Sequence, residues 1–163
     1  AIEDPNPYLF FEHKALYRSH KEKIFDDYYT TEVGKARLVS TGDDLTIVTY
    51  GMGVSWSFDV MEGIQGKTAD IIDLRTLQPW DKDAVADSVK KTNKVIIVHE
   101  DTITGGIGAE ISAWITENYF EHLDGPVMRV GGLDTPVPFR KELEENFMPN
   151  SRLKGKIEKL LTF

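Results

Sequence analysis

The residues of this chain best equipped for chemistry stand together at His99-Glu100-Asp101, one imidazole beside two carboxylates. A neutral histidine exchanges protons near pH 7, so the group could serve as a general acid or base. A few residues on, Gly105-Gly106-Ile107-Gly108 opens a helix whose free backbone N–H groups could hold an anion. Each feature also has a plainer reading. Neighbouring residues of a strand point to opposite faces, so His99 and Glu100 are not expected to hydrogen-bond each other, and a structural or interface role is favoured. No Gly-Lys-Ser/Thr closes the glycine run, so close packing and positive φ are favoured over phosphate binding. No Ser–His–Asp arrangement can be assembled, and no His-x-x-x-His metal spacing occurs.

A second glycine pair, Gly51-Met52-Gly53, follows an apolar run, and Asp73 lies 20 residues beyond Gly53, near where a ribose-binding acid would stand. The third glycine of a dinucleotide fingerprint is replaced by Trp56, whose indole prevents the tight helix–sheet packing that the fingerprint requires. A plain strand–helix turn is favoured over a free-standing NAD-binding module built on Gly51, Gly53 and Asp73.

These residues need a scaffold, and hydrophobic periodicity supplies its outline. Val95-Ile96-Ile97-Val98 is a continuous apolar run with a helix after it, the pattern of a buried strand in a parallel sheet covered on both faces. Its polar end is the carboxyl end, where open α/β sheets carry their functional loops. Leu45–Tyr50, Ala69–Leu74 and Val127–Val130 read as further strands. Helices are expected over Val54–Ile64, over Asp81–Thr92 with Asp81 as cap, and from Ile107 with an Ile107, Ile111, Trp114, Ile115 stripe. Short helical segments follow near Lys141–Phe147 and Ser151–Leu161. Strands alternating with helices predict an α/β three-layer domain with a mostly parallel sheet of about five strands. Upstream, Asp4-Pro5-Asn6-Pro7 is turn chemistry, Tyr8–Glu12 an aromatic strand, and residues 15–37 a connecting segment without sustained period.

Composition bounds the rest. The 163 residues suffice for one ordinary domain, and with no cysteine there is no disulfide, thiolate chemistry or cysteine-ligated metal. The apolar runs are too short to span a bilayer. A net charge of −8 opposes nucleic-acid binding and would suit a basic partner, although simple solubility accounts for it as well. No signal-peptide pattern opens the sequence and its first residue is not Met, so Ala1 is expected to be a cut or processed end.

Taken in order, AIEDPNPYLFFEHKALYR, LTIVTYG, DIIDLRTLQPWD, VIIVHEDTITGGIGAEI and PVMRVGGLDTPVPF resemble the β subunit of thiamine-diphosphate-dependent 2-oxo-acid dehydrogenases along the whole chain. Pro79-Trp80-Asp81 and the His99-Glu100…Thr104-Gly105-Gly106 run resemble the branched-chain (2-oxoisovalerate) type more than the pyruvate type. Glu12-His13-Lys14 departs from the Glu-Pro-Lys common in branched-chain relatives, and pyruvate-type members also carry His there.

The resemblance implies that residues 1–14 are the tail of a pyrimidine-binding domain, 15–37 a linker, and 38–163 a transketolase-like carboxyl-terminal domain. It implies no catalytic residue here, because the cofactor-activating glutamate lies upstream and the α subunit or domain holds the diphosphate and Mg²⁺. This piece alone is then expected to be inactive. It further implies a partial potassium site at Ala1, Asp4 and Asn6. His99, Glu100, Asp101, Gly105, Gly106, Gly108 and Glu110 would be interface and active-site wall. The implied partners are the α subunit, a second β copy, and the basic subunit-binding domain of a lipoyl acyltransferase core, with Asp101, Glu110 and the terminus at Phe163 as docking candidates. A pyruvate- or acetoin-type enzyme is the alternative. The implied compartment is the bacterial cytoplasm, or the mitochondrial matrix in a eukaryote.

Overall fold

The computed structural model describes residues 1–163, which divide into two compact units, Ala1–Thr30 and Thr31–Phe163. In the first unit the only regular element is α1 (Leu16–Ser19). Asp4 closes a turn, its Oδ1 accepting from the backbone N–H and side-chain amide of Asn6 at 2.9 and 2.7 Å, its Oδ2 from the Tyr8 hydroxyl at 3.0 Å. The strand expected over Tyr8–Glu12 does not form. A strand exists only against a partner edge, and Leu9, Phe10 and Phe11 are instead largely exposed.

The second unit is a three-layer α/β sandwich. Its elements are β1 (Arg37–Ser40), β2 (Leu45–Thr49), α2 (Met52–Glu62), β3 (Ala69–Asp73), α3 (Lys82–Thr92), β4 (Val95–Thr102), α4 (Ile107–Tyr119), β5 (Met128–Gly132), α5 (Lys141–Phe147) and α6 (Asn150–Leu160). A 3₁₀ turn at Phe120–His122 follows α4. The strands lie in the order β1-β3-β2-β4-β5, all parallel except β1, which pairs antiparallel with β3. That edge strand begins inside the segment read as a linker. Only four residues long and half exposed, with a pairing irregularity after Leu38, it leaves no run of alternating apolar residues to detect. By compactness the chain divides after Thr30, within that segment.

Both faces of the central strands are buried, which is why their sequences are continuously apolar. Ile47, Ile71, Ile96, Val98 and Val130 face α2 and α6, whose Trp56, Val60, Leu153, Ile157 and Leu160 cover them. Val48, Ile72, Val95 and Ile97 face the other way, against Val85 and Val89 of α3 and Ile111 and Ile115 of α4. Burying each such aliphatic side chain contributes about 1.5–3 kcal/mol. Asp81 caps α3 as its sequence suggests, accepting from Ala84 N–H at 3.1 Å, while its second oxygen accepts from Ala36 N–H at 3.0 Å. One residue thus starts a helix and ties the chain entering β1 to it.

Candidate functional site

The carboxyl ends of β2 and β4 lie side by side, and the helices leaving them diverge: α2 onto one face of the sheet, α4 onto the other. Such a switch point is where open α/β sheets place functional loops. Here it is formed by Tyr50 and Gly51 on one side and His99–Gly106 on the other.

His99 is the least expected residue in it, being wholly buried at 0% exposure. Its Nδ1 lies 3.1 Å from the carbonyl oxygen of Asp101. A carbonyl only accepts, so Nδ1 carries a proton, and in the neutral ring Nε2 then presents a lone pair. That Nε2 is buried with no hydrogen-bond partner. Three glycines close around the ring: a Cβ on Gly106, Gly108 or Gly131 would come within 2.6, 2.5 and 2.9 Å of its atoms respectively. The glycines of the Gly-Gly-x-Gly run therefore serve packing on an imidazole. Gly105 has a separate reason, a left-handed φ of 77° at the exposed tip of the loop, with open space around it. Burial, foremost, holds the His99 imidazolium pKa below its ordinary value, with Arg129 acting in the same direction and the carbonyl and carboxylate of Asp101 opposing.

Glu100 is half-buried and Asp101 exposed, the Asp101 carboxylate accepting from Thr102 N–H at 2.7 Å. Burial first, then the charges of Asp101 and Glu100, raise the pKa of the Tyr50 phenol across the switch point. Asp73, at the end of β3, is raised by burial against the pull of Arg75 and Arg37. Glu110 stands on the exposed side of α4. His99, Gly106 and Gly108 are thus brought together, Asp101 joins them through its backbone, and Glu110 does not take part. Ala1, Asp4 and Asn6 are exposed residues of the first unit, with both Asp4 oxygens engaged within the turn.

The loop from Asp101 to Gly106 is also held from the β5 side by residues the sequence did not single out. Asp134 accepts from Thr104 N–H at 2.9 Å and from its hydroxyl at 2.7 Å, while Arg129 donates to the Ile103 carbonyl at 3.0 Å. These partners stand 30 and 26 residues apart in sequence, so no local motif could have marked them. Asp134→Ala is expected to raise amide exchange at Ile103, Thr104 and Gly105 roughly three- to tenfold, the scale of losing one or two exposed hydrogen bonds, with exchange in Ile96–Val98 unchanged. Hydrogen exchange resolved by residue checks this.

On the dinucleotide question, Gly53 packs directly on the Thr49 hydroxyl and Trp56 packs into the core beneath α2. Both positions have structural reasons, which leaves the plain strand–helix turn as the favoured reading.

Residues 34–152 match the family model of the transketolase C-terminal domain. The chain belongs to that family. Among curated proteins, this transketolase C-terminal domain is 40% identical to the 2-oxoisovalerate dehydrogenase subunit β of Bacillus subtilis, over 92% of the chain and 47% of that protein. It is 45% identical to the mitochondrial 2-oxoisovalerate dehydrogenase subunit β of Dictyostelium discoideum, over 85% and 38%. The pyruvate dehydrogenase E1 component subunit β of Mycoplasma pneumoniae is also 40% identical, over 99% and 50%. The chain thus spans about half the length of the curated relatives it matches or less. A solved split-gene transketolase, an inactive β4 tetramer, superposes with a TM-score of 0.70 at 25% identity, covering 86% of this chain and 46% of its own. The five-stranded, mostly parallel sheet is the architecture expected from the strand–helix alternation, and the transketolase C-terminal fold is the one that the family resemblance implies.

Proposed function

We propose that this chain is the carboxyl-terminal part of the β subunit of a 2-oxo-acid dehydrogenase, in an enzyme that oxidatively decarboxylates branched-chain 2-oxo acids and passes the acyl group to a lipoyl arm. The supporting observation is identity of 40–45% to 2-oxoisovalerate dehydrogenase β subunits over 85–92% of the chain. The same identity to a pyruvate dehydrogenase β subunit supports a second reading that differs only in substrate.

In the assembled enzyme the domain supplies surface and wall, with the loop around His99 to Gly108 nearest the interface. The parent's thiamine diphosphate and Mg²⁺ would supply the carbanion chemistry. The acids Glu100, Asp101 and Asp134 along the carboxyl edge do not suit a diphosphate, so no residue here is assigned to holding it. Ala1, Asp4 and Asn6 offer oxygen atoms of the right type for K⁺. Hydrogen bonds of Asn6 to Asp4 hold the Asp4 pKa below the ordinary carboxylate value, so an anion is available. The Asp4 oxygens already accept from Asn6 and Tyr8, however, and further ligands would have to come from outside this chain. The proposed partners are an α subunit, a second β copy and an acyltransferase core, with Asp101, Glu110 and Phe163 as docking residues. The proposed compartment is the bacterial cytoplasm.

The test uses the full-length β subunit with its α partner, thiamine diphosphate, Mg²⁺ and an artificial electron acceptor. Turnover of 2-oxoisovalerate over pyruvate supports the branched-chain assignment, and the reverse preference transfers the domain to the pyruvate type. Turnover by this 163-residue chain alone would overturn the reading.

A further inference from the structure

We propose that His99 is a proton-operated pin for the loop between β4 and α4: neutral, it locks residues 101–106 onto the sheet, and protonated, it is expelled and releases them. The inference rests on the cage and does not depend on which reaction the assembled protein performs. The ring has no exposed surface, Nε2 has no partner, and Gly106, Gly108 and Gly131 leave no space for one to enter. An unpartnered lone pair is a tolerable buried state, and a buried N–H bearing positive charge is much less so. That new charge would also face the first turn of α4, the positive end of a 13-residue helix whose cap Gly106 has no side chain to offset it.

The charged groups acting on the ring come from two elements. Asp101, on the ring's own strand, favours the imidazolium, and Arg129 on β5 opposes it; Gly106, the cap of α4, and Gly108 in its first turn touch the ring and bring no charge. The other ties on the loop do not change over the same range. Arg129 stays cationic, and hydrogen bonds from Thr104 hold the Asp134 carboxyl pKa below the usual value, so both keep their charge while His99 titrates. Gly105, in its left-handed conformation at the loop tip, gives the released segment a pivot.

The direction follows from linkage. With the loop closed the His99 pKa is depressed; with the loop open it returns to about 6.5. The closed form is therefore fully favoured above about pH 6.5, and opening gains roughly tenfold per pH unit below it, until the depressed pKa of the closed form is reached.

The experiment is residue-resolved amide exchange on this chain at pH 7.5 and 5.5, corrected for intrinsic rates, together with a proton NMR titration of the Cε1–H signals of His13, His20, His99 and His122. The expected result is a roughly tenfold loss of protection from Thr102 to Gly108 relative to Ile96–Val98, absent in His99→Gln, with a His99 midpoint below the ordinary imidazole value of about 6.5. Protection unchanged within about twofold, the same pH dependence in His99→Gln, or an ordinary His99 midpoint would each overturn the proposal. Should His99→Gln fail to fold, the wild-type titration and exchange decide the matter by themselves.

Discussion

Asp70→Ala is expected to lower the unfolding free energy by about 3 kcal/mol, the largest loss from any single polar side chain here. Asp70 is 2% exposed at the start of β3. Its Oδ1 accepts from Gly42 N–H at 2.9 Å and Lys91 Nζ at 2.6 Å, and its Oδ2 from the Ser88 hydroxyl at 2.7 Å. The Ser88 oxygen lies 2.6 Å from that of Thr46, which is 2.6 Å from that of Thr92. One carboxylate therefore anchors a buried hydroxyl chain that joins β2 and α3 to the turn before β2. Truncation leaves the Gly42 N–H buried without an acceptor, at about 1–3 kcal/mol, removes the partner of the Lys91 ammonium, and makes the hydroxyl chain turn from Ser88 through Thr46 and Thr92 toward the Lys94 carbonyl. The Lys91 side chain is 38% exposed with Asp43 at 3.7 Å, so its charge can turn to solvent, which keeps the loss at the lower end of the 3–5 kcal/mol typical of a broken buried pair. Urea unfolding with an unchanged m-value checks it; a loss below about 1 kcal/mol would mean that water replaces the carboxylate.

Gly108→Ala is the second. An added methyl would lie 2.5 Å from His99 Nε2, 2.7 Å from Cδ2 and 3.3 Å from Ile97 Cγ2. The ring has nowhere to retreat, because Gly106 and Gly131 close its other sides and its Nδ1 is tied to Asp101. Overpacking of this kind costs about 1–3 kcal/mol, against which alanine recovers up to ~1 kcal/mol of helix propensity. The expected net loss is about 2 kcal/mol, read as a lowered midpoint in thermal or urea unfolding. Gly155→Ala is the matched control. It also lies in a helix but with open space around its Cα, so the same substitution should stabilise by about 0.5–1 kcal/mol. If both variants shift stability equally, the cage around His99 has no energetic consequence.

Much of the site was legible before the fold, though not its arrangement. His99 and the glycines after it stand out because a buried strand ends and a helix begins there, and both events leave local marks: apolar continuity, then glycine and the stripe of Ile107, Ile111 and Ile115. That reading favoured packing for the glycines and a structural role for His99. The ring now supplies the atoms they pack against. Gly131, which completes the cage, and Asp134 and Arg129, which hold the loop, sit on or after another strand, and nothing in their neighbourhoods points to His99.

By itself, then, the sequence determined the alternation of four parallel strands with helices, the Asp81 cap, the depth of the central strands and the strand end at which the polar groups collect. All of these depend on residues within one or two turns of each other, where periodicity and capping act. Only the tertiary structure decided that Arg37–Ser40 is an antiparallel edge strand and that Tyr8–Glu12 forms none, since pairing depends on an edge supplied from elsewhere. It alone decided that His99 is wholly buried with its Nε2 unpartnered and that Asp70 anchors Ser88, Thr46 and Thr92. Burial and hydrogen-bond partnership at those sites are properties of segments 18 to 46 residues apart or on different strands, and chain neighbours do not encode them.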